Sequence, residues 1–226
     1  MIGIIGAMNI EIEHINKVLT DKEVFEISGA VYTKGKLSEK EVVTAVCGIG
    51  KVFSAICAQT MIVKFGVDTI INTGVAGSLT SDAKILDTVV ATALVQHDVD
   101  TTYFGDPRGM ISGINVVEFE CDKALAENIC RNVEGNCLRG IIASGDCFVA
   151  DEEKKKDIKQ TFGAIACEME GASIAQVCYV NKVPFAVLRT ISDGADGEEM
   201  SYERFSAMAA EKAANIIIET ICDIKV

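Results

Sequence analysis

Histidine, proline and positive charge are all scarce in this chain. Two histidines, two prolines (Pro107 and Pro184) and 21 lysines and arginines stand against 33 aspartates and glutamates, for a formal charge of -12. A surface of that sign repels phosphate backbones and anionic lipid headgroups, so nucleic acid and membranes are poor partners and a small neutral or cationic ligand fits better. The same balance also keeps an ordinary cytosolic protein soluble, so it argues only weakly for a partner. No apolar run approaches the ~20 residues of a membrane span, and no basic leader precedes the opening Ile2-Gly3-Ile4-Ile5-Gly6. The expected location is the cytoplasm. No Cys-x-x-Cys pair occurs, and two histidines are too few to complete a zinc site, so neither a metal nor a cofactor is expected. The nine cysteines, at 47, 57, 121, 130, 137, 147, 167, 178 and 222, read as buried thiols in a reducing compartment.

What is present suits a packed globular protein: 49% hydrophobic and 24% charged residues over a length that one core can serve. Residues 1–226 are therefore expected to form a single domain without a Pro-rich linker or internal repeat. Short Val- and Ile-rich runs alternate with longer amphipathic stretches, the pattern of strands buried between helices. Strands are expected at Ile2–Ala7, Val42–Cys47, Thr69–Thr73, Ile85–Val95, Arg139–Ser144, Ala164–Cys167 and Pro184–Ser192. Helices are expected after Asn9 and over Val52–Phe65, Asp122–Asn132, Asp151–Gln160, Gly171–Asn181 and Ser201–Cys222, the last with Ser201 as N-cap. Val24–Ser28, Val31–Leu37 and Val42–Cys47 read as a meander, which makes the sheet mixed. The expected fold is an α/β three-layer αβα sandwich around a mixed central sheet. His97–Gly113, with glycines at 105, 109 and 113, reads as a long loop serving as a lid or a subunit contact.

Two glycine motifs are misleading. Gly48-Ile49-Gly50-Lys51 resembles the end of a P-loop, but Ala45 and Val52 stand where that motif needs glycine and a hydroxyl residue. Ile2–Gly6 lacks the glycine spacing of a dinucleotide site. More telling are four strand ends carrying small or polar groups: Gly6–Glu11, Asn72–Gly77, Ser144–Phe148 and Ile191–Gly194. Each alone is an ordinary strand-to-helix turn. As a set they can converge on one pocket at the carboxyl ends of a sheet. Between them Glu168 and Glu170 flank Met169 at a strand-to-helix junction, where either carboxylate could simply serve the helix dipole.

Taken in order, GIIGAM (3–8), Glu11, GIGKV (48–52), INTGVAG (71–77), SGDCF (144–148), EMEGA (168–172) and RTISDGAD (189–196) resemble the methylthioadenosine/S-adenosylhomocysteine nucleosidases of the nucleoside phosphorylase superfamily. The resemblance implies hydrolysis of the N-glycosidic bond of 5′-methylthioadenosine and S-adenosylhomocysteine, and also of 5′-deoxyadenosine. It implies that Asp193, beside Ser192, protonates N7 of the leaving adenine, because an adenine anion leaves poorly. Glu11 matches the carboxylate that activates water and faces the oxocarbenium-like sugar. Arg189 matches a residue that helps position that water. Met169 and Glu170 match the ribose contacts, Phe148 the ring stacked on adenine, and the Val149 backbone the purine edge. Met8, Ile49 and Phe205 match walls of the nucleoside pocket, with Ile49 near the 5′ substituent, and Ala76 and Gly77 contribute backbone. Members of the family are homodimers, and the resemblance implies that the 97–113 loop, through Phe104, completes the partner's 5′ pocket. Val75 departs from the pattern. A serine common there could hold the water, and valine cannot.

Three alternatives are weighed. A phosphorylase of the same fold needs arginines to clamp phosphate, yet Gly6–Glu11 holds no basic residue and Asn72-Thr73 stands where such enzymes carry arginine. A nucleosidase for futalosine-type menaquinone precursors would share every motif and differ only in its 5′ pocket. A non-catalytic nucleoside binder would not need Glu11, Asp193, Arg189 and Glu170 together.

Overall fold

A computed structural model describes residues 1–193 and 199–223, with the side chains of 199–204 excepted. In chain order the elements are β1 (Ile2–Gly6), α1 (Asn9–Val18), β2 (Thr20–Ile27), β3 (Ala30–Leu37), β4 (Lys40–Val46), α2 (Lys51–Phe65), β5 (Thr69–Asn72), β6 (Val75–Ser78) and β7 (Thr88–Gln96). They continue with β8 (Phe119–Glu120), α3 (Lys123–Arg131), β9 (Cys137–Ser144), α4 (Glu152–Phe162), β10 (Ala164–Glu168), α5 (Gly171–Asn181), β11 (Phe185–Asp193) and α6 (Glu199–Asp223).

Strand alternation sorts the core into two layers. Ile4, Val42, Ile71 and Leu188 face Ile12, Ile15, Leu125, Ile129, Ala213 and Ile217, which belong to α1, α3 and α6. Their neighbours Ile5, Val43, Ile70 and Val187 point the other way, toward Cys57, Ala58, Met61, Ile174 and Ala175 of α2 and α5. Ile4, Ile5, Ile70 and Ile71 are all fully buried, and each such side chain contributes about 1.5–3 kcal/mol relative to exposure. The αβα layering and the mixed sheet expected from the sequence are thus both present.

The sheet adds something that the pattern did not suggest. Its strand order is β2-β3-β4-β1-β5-β11-β6-β10-β9-β7-β8, and β7 pairs also with β11. Five strands, β11, β6, β10, β9 and β7, therefore close on themselves beside an open parallel stretch. The nine residues of β11 belong to both parts: Phe185–Val187 pair with β5, Leu188–Thr190 with β7 and Thr190–Asp193 with β6.

Boundaries follow local chemistry. Asp122 and Asp151 are N-caps, accepting from Leu125 N and Lys154 N at 2.8 Å each, so α3 and α4 begin one residue after them. The strand expected from Ile85 starts at Thr88, because Leu86 has a φ of 68° and Asp87 closes a turn onto Lys84 N. Ser201 is not an N-cap: α6 is already helical at Glu199. Five of the nine cysteines are buried, while Cys130, Cys137 and Cys147 are partly exposed and Cys222 is exposed, so the expectation of uniformly buried thiols fails for four. The 97–113 segment contains a short 3₁₀ turn at Thr102–Phe104, which leaves Tyr103 and Phe104 exposed. Among the described residues, no helix is long and apolar enough to cross a membrane, and no cluster of side chains is suited to hold a metal.

Candidate active site

The carboxyl ends of β1, β5, β9, β10 and β11 meet at one cavity of about 440 Å³. All four strand ends singled out in the sequence supply lining residues: Ala7, Met8 and Glu11; Val75, Ala76 and Gly77; Cys147, Phe148 and Val149; Ser192 and Asp193. Ile49 and the run Cys167–Glu170 complete it. Gly194 lies outside the described residues.

β6 organises the two catalytic candidates. The sequence INTGVAG reads as a loop, yet Val75–Ser78 forms a short strand between β11 and β10. Glu11, in the first turn of α1 and 4% exposed, accepts from Ala7 N (2.7 Å) and Met8 N (2.9 Å) through Oε2, and from Val75 N (3.1 Å) through Oε1. The start of a helix favours a carboxylate there. Glycine at 74 is required sterically, since a Cβ would lie 2.5 Å from Glu11 Oε1. Burial raises the Glu11 carboxyl above the ordinary glutamate value, against the opposing charge of Arg189 and the three backbone bonds.

Asp193 ends β11 opposite Gly77, with a register shift between Ile191 and Asp193. That bulge turns two successive side chains, Ser192 and Asp193, toward the same cavity. The Ser192 hydroxyl donates to Asp193 Oδ1 at 2.9 Å, and a Cβ at Gly77 would sit 2.7 Å from Oδ2. Burial raises the Asp193 carboxyl, and the Ser192 bond and the Lys155 charge only partly oppose it. Val75 and Gly77 are two residues apart on β6, roughly 6.6 Å at the usual strand rise. The anchoring points of the two carboxyls are thus separated by about that much along the cavity.

The flanking glutamates divide their labour. Glu168 accepts from Glu170 N, Gly171 N, Ser144 Oγ and Arg189 Nη2, so it ties the start of α5 to β9 and β11. Its carboxylate is consumed by structure. Glu170 accepts only Gly50 N, at 2.9 Å, among the printed bonds to its side chain, and burial together with the neighbouring Glu168 pushes it up to about 8. In the empty cavity at neutral pH it holds a proton, and ligand hydroxyls donating to it would favour the ionised form.

Arg189 does not line the cavity. It is 2% exposed, donates to Asn72 Oδ1 (2.6 Å), to Leu188 O (3.1 Å) and to Glu168, and stands 3.9 Å from Glu170. It therefore acts on Glu11 and Glu170 through its charge, which corrects the expectation of direct contact with a water. Phe205, half-buried on α6, is also absent from the lining. Phe104 is 79% exposed on its loop and is not among the residues lining this chain's own cavity. Missed by sequence reasoning were the Val75 backbone N–H, which holds Glu11, and Glu168 with Ser144, whose roles depend on partners far along the chain. The departure at Val75 changes meaning accordingly, because what this position gives Glu11 is a peptide group that any residue supplies.

With this geometry in view, comparison with known proteins is direct. The family model of the phosphorylase superfamily matches residues 1–221. An aminodeoxyfutalosine nucleosidase of Helicobacter pylori is 43% identical over 220 residues, 96% of this chain and 95% of the relative. A 5′-methylthioadenosine/S-adenosylhomocysteine nucleosidase of Staphylococcus carnosus is 39% identical over 225 residues, 98% of this chain and 99% of the relative. The solved structure of the corresponding Streptococcus pneumoniae nucleosidase, with the transition-state inhibitor MT-ImmA, superposes with a TM-score of 0.94 at 34% identity, covering 99% of both chains. On sequence and on fold alike, the chain belongs to the phosphorylase superfamily.

Proposed function

We propose that the protein hydrolyses the N-glycosidic bond of 5′-methylthioadenosine and S-adenosylhomocysteine, releasing adenine and the 5-thio-substituted ribose. The observation that carries this reading is the pair of raised carboxyls, Glu11 and Asp193, set on either end of β6 in a cavity whose described lining contains no lysine or arginine. Two-carboxylate hydrolases that invert configuration keep their groups about 6.5–9.5 Å apart, which leaves room for sugar and water, and the β6 register matches that range. A phosphate in the same place would face Glu11, Glu168 and Glu170, while Arg189 is already held by Glu168 and Asn72. Water is the nucleophile that this arrangement tolerates.

In the reaction, Asp193 gives its proton to N7 as the bond from C1′ to N9 breaks, and the electron pair leaves with the base. Glu11 faces the positive charge developing on the ribosyl group and takes a proton from the water that attacks C1′. Arg189 keeps Glu11 ionised through its charge and is a positioning residue. Phe148 stacks on adenine with the Val149 backbone at the purine edge, and Met169 and Glu170 meet the ribose. Met8, Ile49, Ala76, Gly77 and Phe205 bound the pocket.

The other features fit this reading. Val52, Phe53 and Ile56 are exposed on α2 near Ile49, and with Tyr103 and Phe104 they present more apolar surface than a monomer leaves open. We assign this face to a homodimer in which the 97–113 loop reaches the partner's pocket. Sedimentation velocity is expected to give about twice the 24.1 kDa chain mass, and a Phe53→Glu variant that stays dimeric would contradict it. Residues 1–226 act as one domain, and nine free cysteines suit the reducing cytoplasm.

A futalosine-type nucleoside is the second reading, favoured by the 43% identity to the Helicobacter pylori relative. A panel of methylthioadenosine, S-adenosylhomocysteine, 5′-deoxyadenosine and aminodeoxyfutalosine, compared by kcat/KM for adenine release, separates the two. Turnover of the first two at rates comparable with the best substrate is expected. Cleavage of the futalosine type alone would overturn the assignment.

A further inference from the structure

Lys51, the first residue of α2, follows Gly50, whose N–H donates to Glu170 at 2.9 Å. Its ammonium donates to Asp98 Oδ1 at 2.7 Å and to Gln96 Oε1 at 3.1 Å. Its backbone N–H donates to Asp146 Oδ1 at 2.7 Å, and Asp146 N donates in turn to Asp98 Oδ2 at 2.9 Å. These bonds make a closed ring through three segments remote in sequence: the start of α2, the start of the 97–113 loop, and the turn that leads into Cys147 and Phe148.

The segments are packed backbone to backbone. A Cβ on Gly145 would lie 2.4 Å from His97 Nε2, and one on Gly50 would lie 2.9 Å from Asp146 Oδ1. The ring is tied into α5 by Gln96 Nε2 donating to Gln176 Oε1 (2.6 Å) and by the Ser54 and Ser173 hydroxyls, also 2.6 Å apart. Its charges are shielded, the Lys51 and Asp98 side chains being 17% and 26% exposed. An isolated surface pair is worth ~0–1 kcal/mol, whereas a network of several partly buried charges can be worth more. Burial alone would raise the Asp98 carboxyl, but the bonds from Lys51 and from Asp146 N, with the nearby charges, hold it below the ordinary aspartate value.

Ile49 and Phe148 line the cavity on either side of this ring, while Lys51, Asp98 and Asp146 are absent from the lining. We propose that Lys51, Asp98 and Asp146 are positioning residues forming a clamp that holds the Phe148 wall against the Ile49–Gly50 wall, so that ligand affinity depends on them and the chemical step does not. The clamp also ties the root of the 97–113 loop to both walls. Naming Phe148 as the nucleobase wall rests on the function proposed above.

The test uses full-length Lys51→Met, Asp98→Asn, the double variant and Lys51→Arg. For each, kcat and KM on methylthioadenosine, calorimetric affinity for adenine and the melting temperature are measured. Lys51→Met and Asp98→Asn are expected to raise KM and the adenine Kd about tenfold, equivalent to ~1.4 kcal/mol, with kcat within about twofold of wild type. The double variant is expected to be no worse than the poorer single one, as coupled partners require. Lys51→Arg, which keeps the ion pair with Asp98, is expected to restore most of the affinity. Unchanged KM and adenine Kd in folded Lys51→Met, or effects that multiply in the double variant, would overturn the clamp. Wild-type protein that binds adenine but cleaves no adenine nucleoside would remove the hydrolase reading and leave the clamp to be judged on adenine Kd. Wild-type protein that fails to bind adenine removes both.

Discussion

Replacing Asp193 with asparagine lowers kcat for adenine release from methylthioadenosine by about 10²–10⁴-fold, the usual worth of a general acid, while KM changes little. The substitution keeps the shape of the side chain and an oxygen that can still accept from Ser192 Oγ, now 2.9 Å from Oδ1. What it removes is the exchangeable proton. The pH profile supplies a signature that a packing defect would not produce. Because burial raises the Asp193 carboxyl, the acid persists above the ordinary aspartate value, and wild-type kcat falls on the alkaline side as that proton is lost. Glu170, pushed up to about 8, adds a second ionisation in the same direction. Only the part of the alkaline limb that belongs to Asp193 disappears in Asp193→Asn. Steady-state kinetics by chromatographic detection of adenine across a pH series measures both effects, and wild-type turnover in the variant would remove Asp193 from the mechanism.

Glu11→Gln is expected to lower kcat by a comparable ~10²–10⁴-fold, and it also costs stability. Glu11 receives three backbone N–H groups, from Ala7 and Met8 on one oxygen and Val75 on the other. A glutamine amide has one acceptor end and one donor end, so in either orientation at least one of those N–H groups meets another donor. Leaving a buried donor unsatisfied costs about 1–3 kcal/mol. The melting temperature should therefore fall together with kcat, unlike the outcome for Asp193→Asn. Since burial raises Glu11 as well, wild-type activity declines on the acid side at a pH above the ordinary glutamate value, as the base takes up a proton. Glu11→Gln loses that limb. Retention of the acid limb in the variant would show that another group takes the water's proton.

Most of the framework was legible because its signals are local. Runs such as Ile2–Gly6 and Thr69–Asn72 are apolar on both faces and end in Gly or Asn, so strand type and strand end could be read together. Asp122 and Asp151 announced the starts of α3 and α4 by their capping chemistry. Elements whose identity depends on distant partners were hidden. Val75–Ser78 contains Ala and Gly, which carry little strand preference, and it is a strand because β10 and β11 flank it. Closure of the sheet through β7 and β11 joins Leu188 to Val90 across nearly the whole second half of the chain, and no local pattern encodes that.

The site divides in the same way. Residue type pointed to Glu11, Asp193, Phe148 and Glu170, all of which line the cavity. It misjudged Arg189, whose arginine character suggested contact with the reacting water. The buried carboxylate of Glu168 claims that guanidinium instead. Two glutamates separated by one methionine look equivalent in sequence. They differ because Glu168 is spent on the α5 N-terminus and Arg189, whereas Glu170 is left with Gly50 N and a raised pKa.

The account's central claim is that Glu11 and Asp193 direct water, and not phosphate, to C1′. Its most direct test is adenine release from methylthioadenosine with and without inorganic phosphate, with mass spectrometry of the sugar product. The account predicts the same rate in both conditions and only free 5-methylthioribose. Adenine release that requires phosphate, with 5-methylthioribose-1-phosphate as product, would contradict it.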